Sequence, residues 1–266
     1  DMIVEGTHSP LPERNYRAPS EIDQTIAELV VNEIPAGAVL SLGVGTVPFA
    51  IASALADSDK KDLGCHTGTI SDAYRKLYLA GKLTNARKEF DTGLSSFNLA
   101  MGSAAFYDWL RENPKLFRPD SIDYIHDPAR IGKLSRVISI NGGVQVDLMG
   151  QENAESANGM QLSGIGGQMD FLEGAFRSEG GCGYICINSS RLTKDGVRKS
   201  NILPFIPGGS TVSAPRTLIE AVATEDGIAH LAGKSLAERR EAMIAIAHPD
   251  FRDALRNEKP DLSLFL

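Results

Sequence analysis

Residues 164–171 read GIGGQMDF, three glycines and a glutamine set directly ahead of an acidic and an aromatic side chain. Such a stretch can act as a phosphate cradle, an oxyanion pocket or a tight turn. The backbone amides of Gly166 and Gly167 have no Cβ beside them, so a ligand oxygen can approach closely. That close approach is what an oxyanion hole or a thioester site requires. A second glycine-rich stretch, LSLGVGTVPFAIASAL, reads as strand, glycine turn and helix. It would put Gly43, Gly45 and Thr46 at the carboxyl end of a strand, where the amides of a helix N-terminus point outward and suit an anion. The stretch is not a Walker loop, because no GK[ST] follows, and its GxGxxP spacing lacks the third glycine of a dinucleotide fingerprint. A plain strand-to-helix turn is the alternative reading.

Other reactive side chains are less organised. Asp147, Glu152 and Glu155 fall close together in NGGVQVDLMGQENAES and could supply a base or a nucleophile. Carboxylates after a strand are expected to be solvated loop residues. Cys182 and Cys186 have no second cysteine pair or nearby histidine, so they are expected to pack as small apolar residues rather than hold zinc, and no metal is expected. The five histidines are scattered.

The elements that would position these groups follow from periodicity. SEIDQTIAELVVNEI offers Ser20 as an N-cap, with Ile22, Ile26, Leu29 and Val30 at helical spacing, and PAG closes the helix. AVLSLGVG reads as a buried strand. Helices are predicted in VPFAIASALADS, ISDAYRKLYLAGK, SAAFYDWLREN and QMDFLEGAFRSEGG, and strands in RVISI, VQVDL and YICIN. TLIEAVATEDGIAHL mixes strand with a glycine turn, and SLAERREAMIAIAH is a helix ending at Pro249. This alternation predicts an α/β fold, an open and largely parallel sheet flanked by helices. Residues 1–19, with three prolines, read as a linker or arm.

Composition narrows the function classes. The 266 residues carry 27 basic and 34 acidic side chains, a net charge of −7 without basic blocks, so no nucleic-acid partner is expected. No apolar run approaches the ~20 residues of a membrane span, and no membrane partner is expected. Three cysteines, an odd number, fit a reducing, cytoplasmic location.

Taken together, IPAGAVLSLGVGTVP, DLGCHTGTISD, SGIGGQMDFLEGAFRSEGG and ATEDGIAHLAGKSLAERREAMIAIAHPDFR resemble the C-terminal half of the acetyl-CoA hydrolase/transferase family, which includes 4-hydroxybutyrate CoA-transferases. The resemblance runs from about Ile3 to Leu255, and GIGGQ-DF and IAHPDFR are its most specific parts. It implies a CoA-transferase-type domain over residues 20–255 with a C-terminal tail over 256–266, acting on an acyl-CoA, with coenzyme A as the bound group. It places the loop from Gly164 to Phe171, with Gly164, Gly166, Gly167 and Gln168, at the thioester, and adds Gly43 and Gly45 to the CoA contacts. The opening DMIVEGTHSPLPE resembles the join between the two halves of such proteins. The missing half is therefore expected as another part of the polypeptide or as a second subunit, within an oligomer.

Two departures bear on mechanism. The family uses a glutamate, in an H-T-E stretch, that carries CoA as a glutamyl thioester; this chain reads HTGTISD, with Gly68 at the nucleophile position. The family also carries an oxyanion asparagine in a Y-x-N-D context, where this chain has His126 in YIHDP, while the partner glycine is retained as Gly167. A histidine can donate a hydrogen bond or act as a general base near neutral pH. The resemblance with these changes implies hydrolysis, of a thioester or by ring opening, without a covalent glutamate. The alternatives are a transferase using another carboxylate, or a non-catalytic CoA-binding subunit.

Overall fold

The computed structural model describes residues 5, 6, 9–14 and 17–258. Parts of the expected arm (1–4, 7, 8, 15 and 16) and residues 259–266 of the expected tail lie outside them.

The first helix, α1 (Glu21–Glu33), starts where the sequence predicts. The Ser20 hydroxyl accepts the Asp23 N–H, and the Asp23 carboxylate accepts the Ser20 N–H, a reciprocal cap that satisfies two amides the helix start leaves open. Ile26, Ala27, Val30 and Val31 form its buried face.

Eight strands form the main sheet: β1 (Val39–Leu42), β2 (Gly64–Ile70), β3 (Ser95–Ala100), β4 (Phe117–Pro119), β5 (Val137–Gly142), β6 (Cys182–Cys186), β7 (Ala221–Thr224) and β8 (Gly227–His230). Their spatial order is β8-β7-β6-β5-β1-β2-β3-β4. All neighbours are parallel except the β7/β8 hairpin. The chain thus steps outward from β1 to β4, then returns at β5 to the other edge of β1. In open α/β sheets the crevice outside the carboxyl ends of the strands at such a reversal is where ligands bind.

Side chains alternate across the pleat. Leu40 and Leu42 join one core with Ile26, Ile51, Leu55 and Tyr74, contributed by α1, α2 (Thr46–Asp57) and α3 (Asp72–Leu79), and α4 (Ala104–Glu112) adds Phe106. Val39, which precedes Leu40 and so points to the opposite face, joins a second core with Ile125, Ile131, Phe171 and Ala175. That face is covered by α5 (Ile122–Ile125), α6 (Pro128–Ile131) and α7 (Gln168–Arg177). The last helices, α8 (Leu236–Ala245) and α9 (Pro249–Asn257), pack Met243, Ile244 and Leu255 with Val222 of β7 and Ala229 of β8.

Three details differ from the sequence reading. VQVDL gives a strand over Gln145–Asp147, but it pairs with Glu152–Asn153 and Ile202–Leu203 in a separate small sheet. Pro249 does not only stop a helix; it opens α9, at the first helical position where its missing N–H is no loss. Asp147, Glu152 and Glu155 are buried, not solvated. Asp147 can be buried because the backbone N–H groups of Met149 and Gln151 and the Gln151 amide all donate to its carboxylate. Glu152 has a different environment, described below.

Candidate active site

At the β1/β5 reversal the carboxyl ends of the strands open into a cleft of about 440 Å³. Gly43 follows β1, Thr67 to Thr69 lie on β2, Asn98 and Leu99 on β3, and Asn141 and Gly142 end β5. The loop from Ser163 to Gly167 closes the rim. Gly43, Gly164, Gly166, Gly167, Gln168 and His126 are thereby brought together with Gly68. Gly45 stands apart. It is the N-cap of α2 and lines an adjoining cavity of about 340 Å³ with Thr46, Asn188 and Arg191.

His66 and Gly68 are two residues apart on β2 and share the face toward α7. The His66 ring packs against Phe90 and Phe171, with centroids 5.8 and 6.3 Å away. Its Nε2 lies 2.9 Å from the Ile125 carbonyl oxygen, so Nε2 carries the proton and pins the residue preceding His126. Burial pushes the His66 pKa down to about 4, with the Lys88 charge adding to the effect, so the ring is neutral.

His126 caps the C-terminus of α5, its N–H donating to the Ile122 carbonyl at 2.8 Å. Both ring nitrogens are engaged: Nδ1 is 3.1 Å from Asp170 Oδ2, and Nε2 is 3.1 Å from Asn98 Oδ1. The ring meets Phe171 edge-on at 5.1 Å. An acceptor at each nitrogen requires either an imidazolium or an Asn98 amide turned to present its NH₂ group. In the neutral form, Asp170 holds the proton on Nδ1 and leaves the Nε2 lone pair directed at Asn98 in the cleft. This is the orientation that a base with a carboxylate behind it needs.

The imidazole occupies the space beside two glycines. A Cβ on Gly68 would lie 2.9 Å from His126 Nε2 and 3.3 Å from Phe171, and a Cβ on Gly167 would overlap the His126 ring. Gly166 has φ +61°, which only a residue without a Cβ adopts at ease, and Gly167 caps α7 without a side-chain hydrogen bond to the helix. The opening amides of α7 are therefore left for a ligand, with the positive end of the helix behind them. The arrangement combines an oriented imidazole with amide donors at one cleft, the parts needed for attack on a carbonyl and for holding the oxyanion.

The sequence reading did not single out Asn98, Asp170 or the position of Glu152. Asp170 stood in the GIGGQMDF stretch, but nothing in one sequence marks it as facing a histidine 44 residues earlier. Glu152 is fully buried and accepts a hydrogen bond from Gln168 Nε2. Cys65 and Cys186 are buried and Cys182 is half-buried, all as free thiols, and no cluster of three or more His, Cys, Asp or Glu fit for a metal occurs among the described residues. No helix among them is long and apolar enough to cross a membrane.

Comparison with known proteins gives three findings. Residues 102–259 match the sequence profile of the acetyl-CoA hydrolase/transferase C-terminal domain. A butyryl-CoA:acetate CoA-transferase from Anaerostipes caccae is 43% identical over 96% of this chain and 57% of its own length, and an acetyl-CoA hydrolase from Yarrowia lipolytica is 31% identical over 95% and 46%. The crystal structure of a 4-hydroxybutyrate CoA-transferase from Porphyromonas gingivalis superposes with a TM-score of 0.79 at 34% identity, covering 93% of this chain and 57% of that one. The chain thus spans little more than half the length of these transferases, and less of the hydrolase.

Proposed function

We propose that this chain, which belongs to the acetyl-CoA hydrolase/transferase family, binds an acyl-CoA with its thioester in the cleft between Gly68, His126 and the Gly164–Gln168 loop, and hydrolyses it through His126. The observation that carries this reading is the His126 ring, held at one nitrogen by Asp170 and packed where any side chain at position 68 would have to begin. If position 68 is where relatives carry a nucleophilic glutamate, no such nucleophile exists here, and the space goes to a base instead.

In this mechanism His126 Nε2 takes a proton from water as the water oxygen attacks the thioester carbonyl carbon. The resulting oxyanion is held by the Gly167 amide and the opening amides of α7. Collapse breaks the C–S bond, the proton passes from His126 to the departing sulfur, and the products are a carboxylic acid and free CoA. Asp170 keeps Nδ1 protonated and stabilises the transient imidazolium. Ring opening of a cyclic acyl-CoA by water would use the same groups. Gly43 lies on the route from the thioester toward the α2 N-terminus at Gly45, which suits the phosphates of CoA.

A transferase working through Glu152 or Glu155 is disfavoured because both carboxyls are buried. The acyl pocket is taken to be completed by the part of the relatives that this chain does not span, on the same polypeptide or a second subunit, in a cytoplasmic oligomer.

The test is incubation of the purified protein, with any partner that co-purifies, against acetyl-, butyryl- and 4-hydroxybutyryl-CoA, with and without acetate as acceptor, read by mass spectrometry. Free CoA and acid formed without acceptor support hydrolysis. CoA transfer that requires acetate overturns it.

A further inference from the structure

Glu152 is held from both sides along its backbone. Its N–H donates to the Ala214 carbonyl at 3.0 Å, and its own carbonyl accepts the Ser213 N–H at 2.7 Å. The side chain has no solvent exposure. Oε2 accepts from Gln168 Nε2, while Oε1 has no hydrogen-bond partner among the described residues. Oε1 rests against Gly143, where a Cβ would come within 2.6 Å, so a bare backbone makes the room the carboxyl occupies.

For stability alone this is a poor choice of residue. A buried polar atom without a partner costs ~1–3 kcal/mol, no cation among the described residues compensates the carboxyl, and an apolar side chain would fill the same space without that loss. What the carboxyl does achieve is to tie down Gln168. That residue opens α7 next to Gly167 and lines the cleft. With one Nε2–H committed to Glu152, its second N–H and its Oε1 remain for the cleft.

We propose that Glu152 is a positioning residue for the cleft: its carboxyl holds the Gln168 carboxamide in one orientation, so that a fixed amide donor and acceptor face the thioester end of the bound acyl-CoA. The last clause rests on the reading of the cleft given above; the holding of Gln168 does not. Burial pushes the Glu152 carboxyl up to about 8, against the lowering effect of the Gln168 hydrogen bond and with the neighbouring Glu155 charge adding to the rise. Among the described residues Glu155 is the one ionisable group whose charge acts on it. At neutral pH the group is therefore largely a carboxylic acid whose Oε2 accepts from Gln168 Nε2. Above that range it is a carboxylate, a stronger acceptor for the same bond.

The experiment is ¹⁵N NMR of the side-chain amides, with Gln168 assigned as the signal lost in Gln168→Ala. In the unsubstituted protein Gln168 should give a dispersed, slowly exchanging NH₂ pair that shifts with a midpoint near pH 8, and Glu152→Gln should abolish the midpoint. A Gln168 amide averaged like that of an exposed glutamine overturns the proposal, whatever the protein does with acyl-CoAs. In parallel, kinetics with butyryl-CoA should show kcat reduced about tenfold or more in Glu152→Leu with KM little changed, and Glu152→Gln within about threefold of the parent, since a neutral amide still accepts from Gln168. Unchanged kcat in a folded Glu152→Leu overturns the link to catalysis. A held, titrating Gln168 in a protein that neither binds nor processes any acyl-CoA keeps the positioning and overturns the thioester reading instead.

Discussion

Gly68 and His126 should be energetically inseparable, and the simplest perturbation is Gly68→Ala. The added Cβ would sit 2.9 Å from His126 Nε2, 3.2 Å from Cε1 and 3.3 Å from a Phe171 ring carbon. Ordinary contacts between heavy atoms are ~3.5–4.0 Å, so the ring must retreat by roughly half an ångström. It cannot do so freely, because Asp170 and Asn98 hold its two nitrogens at 3.1 Å each. Overpacking of this kind costs ~1–3 kcal/mol, and a displaced ring that gives up the Asp170 bond adds to that. Gly68 lies in a regular strand without a positive φ, so the backbone itself accepts alanine. In a His126→Ala background the obstacle is gone, and Gly68→Ala should then be neutral or stabilise by a few tenths to ~1 kcal/mol through the loss of glycine's unfolded-state freedom. The double-mutant cycle, read by urea unfolding of the four proteins, should therefore give a coupling energy of ~1–3 kcal/mol. Additive effects, within about 0.5 kcal/mol, would refute the claim that one space serves both residues.

In the chemical step, His126→Ala should lower kcat by ~10²- to 10⁴-fold with little change in CoA affinity. His126→Asn should fail equally if the ring is a base, but retain most activity if it only donates a hydrogen bond; steady-state kinetics separate the two. Borohydride treatment of the protein after acyl-CoA exposure should yield no reduced glutamate by peptide mass spectrometry; a reduced Glu152 or Glu155 would restore a covalent mechanism. For stability against pH, the unfolded Glu152 titrates near ~4.3 and the folded one near about 8, so the folded state keeps a proton the unfolded state has lost and stability falls as pH rises through this window. His66, depressed to about 4, acts oppositely below its unfolded value of ~6.5. The loss from Glu152 should thus emerge above about pH 6.5, at up to ~1.4 kcal/mol per pH unit, until Lys88, lowered by burial to about 8, begins to oppose it near that value, and Glu152→Gln should flatten it in urea unfolding curves. Gly167→Val should abolish turnover, but by evicting the His126 ring rather than by filling the acyl site, and a changed Gln168 and His126 NMR environment would report it.

Periodicity made most of the sheet legible, because β1, β5, β6 and the β7/β8 hairpin are rich in Val, Ile, Leu, Ala and Cys. It did not reveal β2 and β3, whose text, GCHTGTI and SSFNLA, carries too few apolar residues to read as buried. These strands are nevertheless interior because a polar layer satisfies them. The Lys88 ammonium donates to the Cys65 and Leu94 carbonyls and to the Ser96 hydroxyl, and Asn85 accepts the Cys65 N–H. A sequence window cannot contain both halves of such a layer, since Cys65 and Lys88 are 23 residues apart. The carboxylates at 147 and 152 were misread as solvated because nothing in the text marks the Met149 and Gln151 N–H groups as partners of Asp147, or Gln168 as the partner of Glu152.

The candidate site shows where a single sequence stops being informative. The glycines could be found because each removes a Cβ and leaves a mark in the text. The cause of two of those absences lies elsewhere in the chain. Gly68 and Gly167 are 99 residues apart, and both are bare where they meet the one imidazole ring of His126. Viewed as text, glycine at 68 and histidine at 126 are expected, from the resemblance alone, to be two separate departures from a family pattern. Viewed in space they occupy one volume, so no larger residue fits at 68 while the ring stays: a glutamate at 68 would have to start its side chain 2.9 Å from Nε2. This makes Gly68→Glu with His126→Asn the decisive pairing. If the family pattern is what these positions replaced, the double variant should fold at least as well as Gly68→Glu alone and should yield a borohydride-trapped glutamate at 68 after acyl-CoA treatment. A double variant no more stable than the single one, with no trapped residue, would mean that the cleft was built around the histidine throughout.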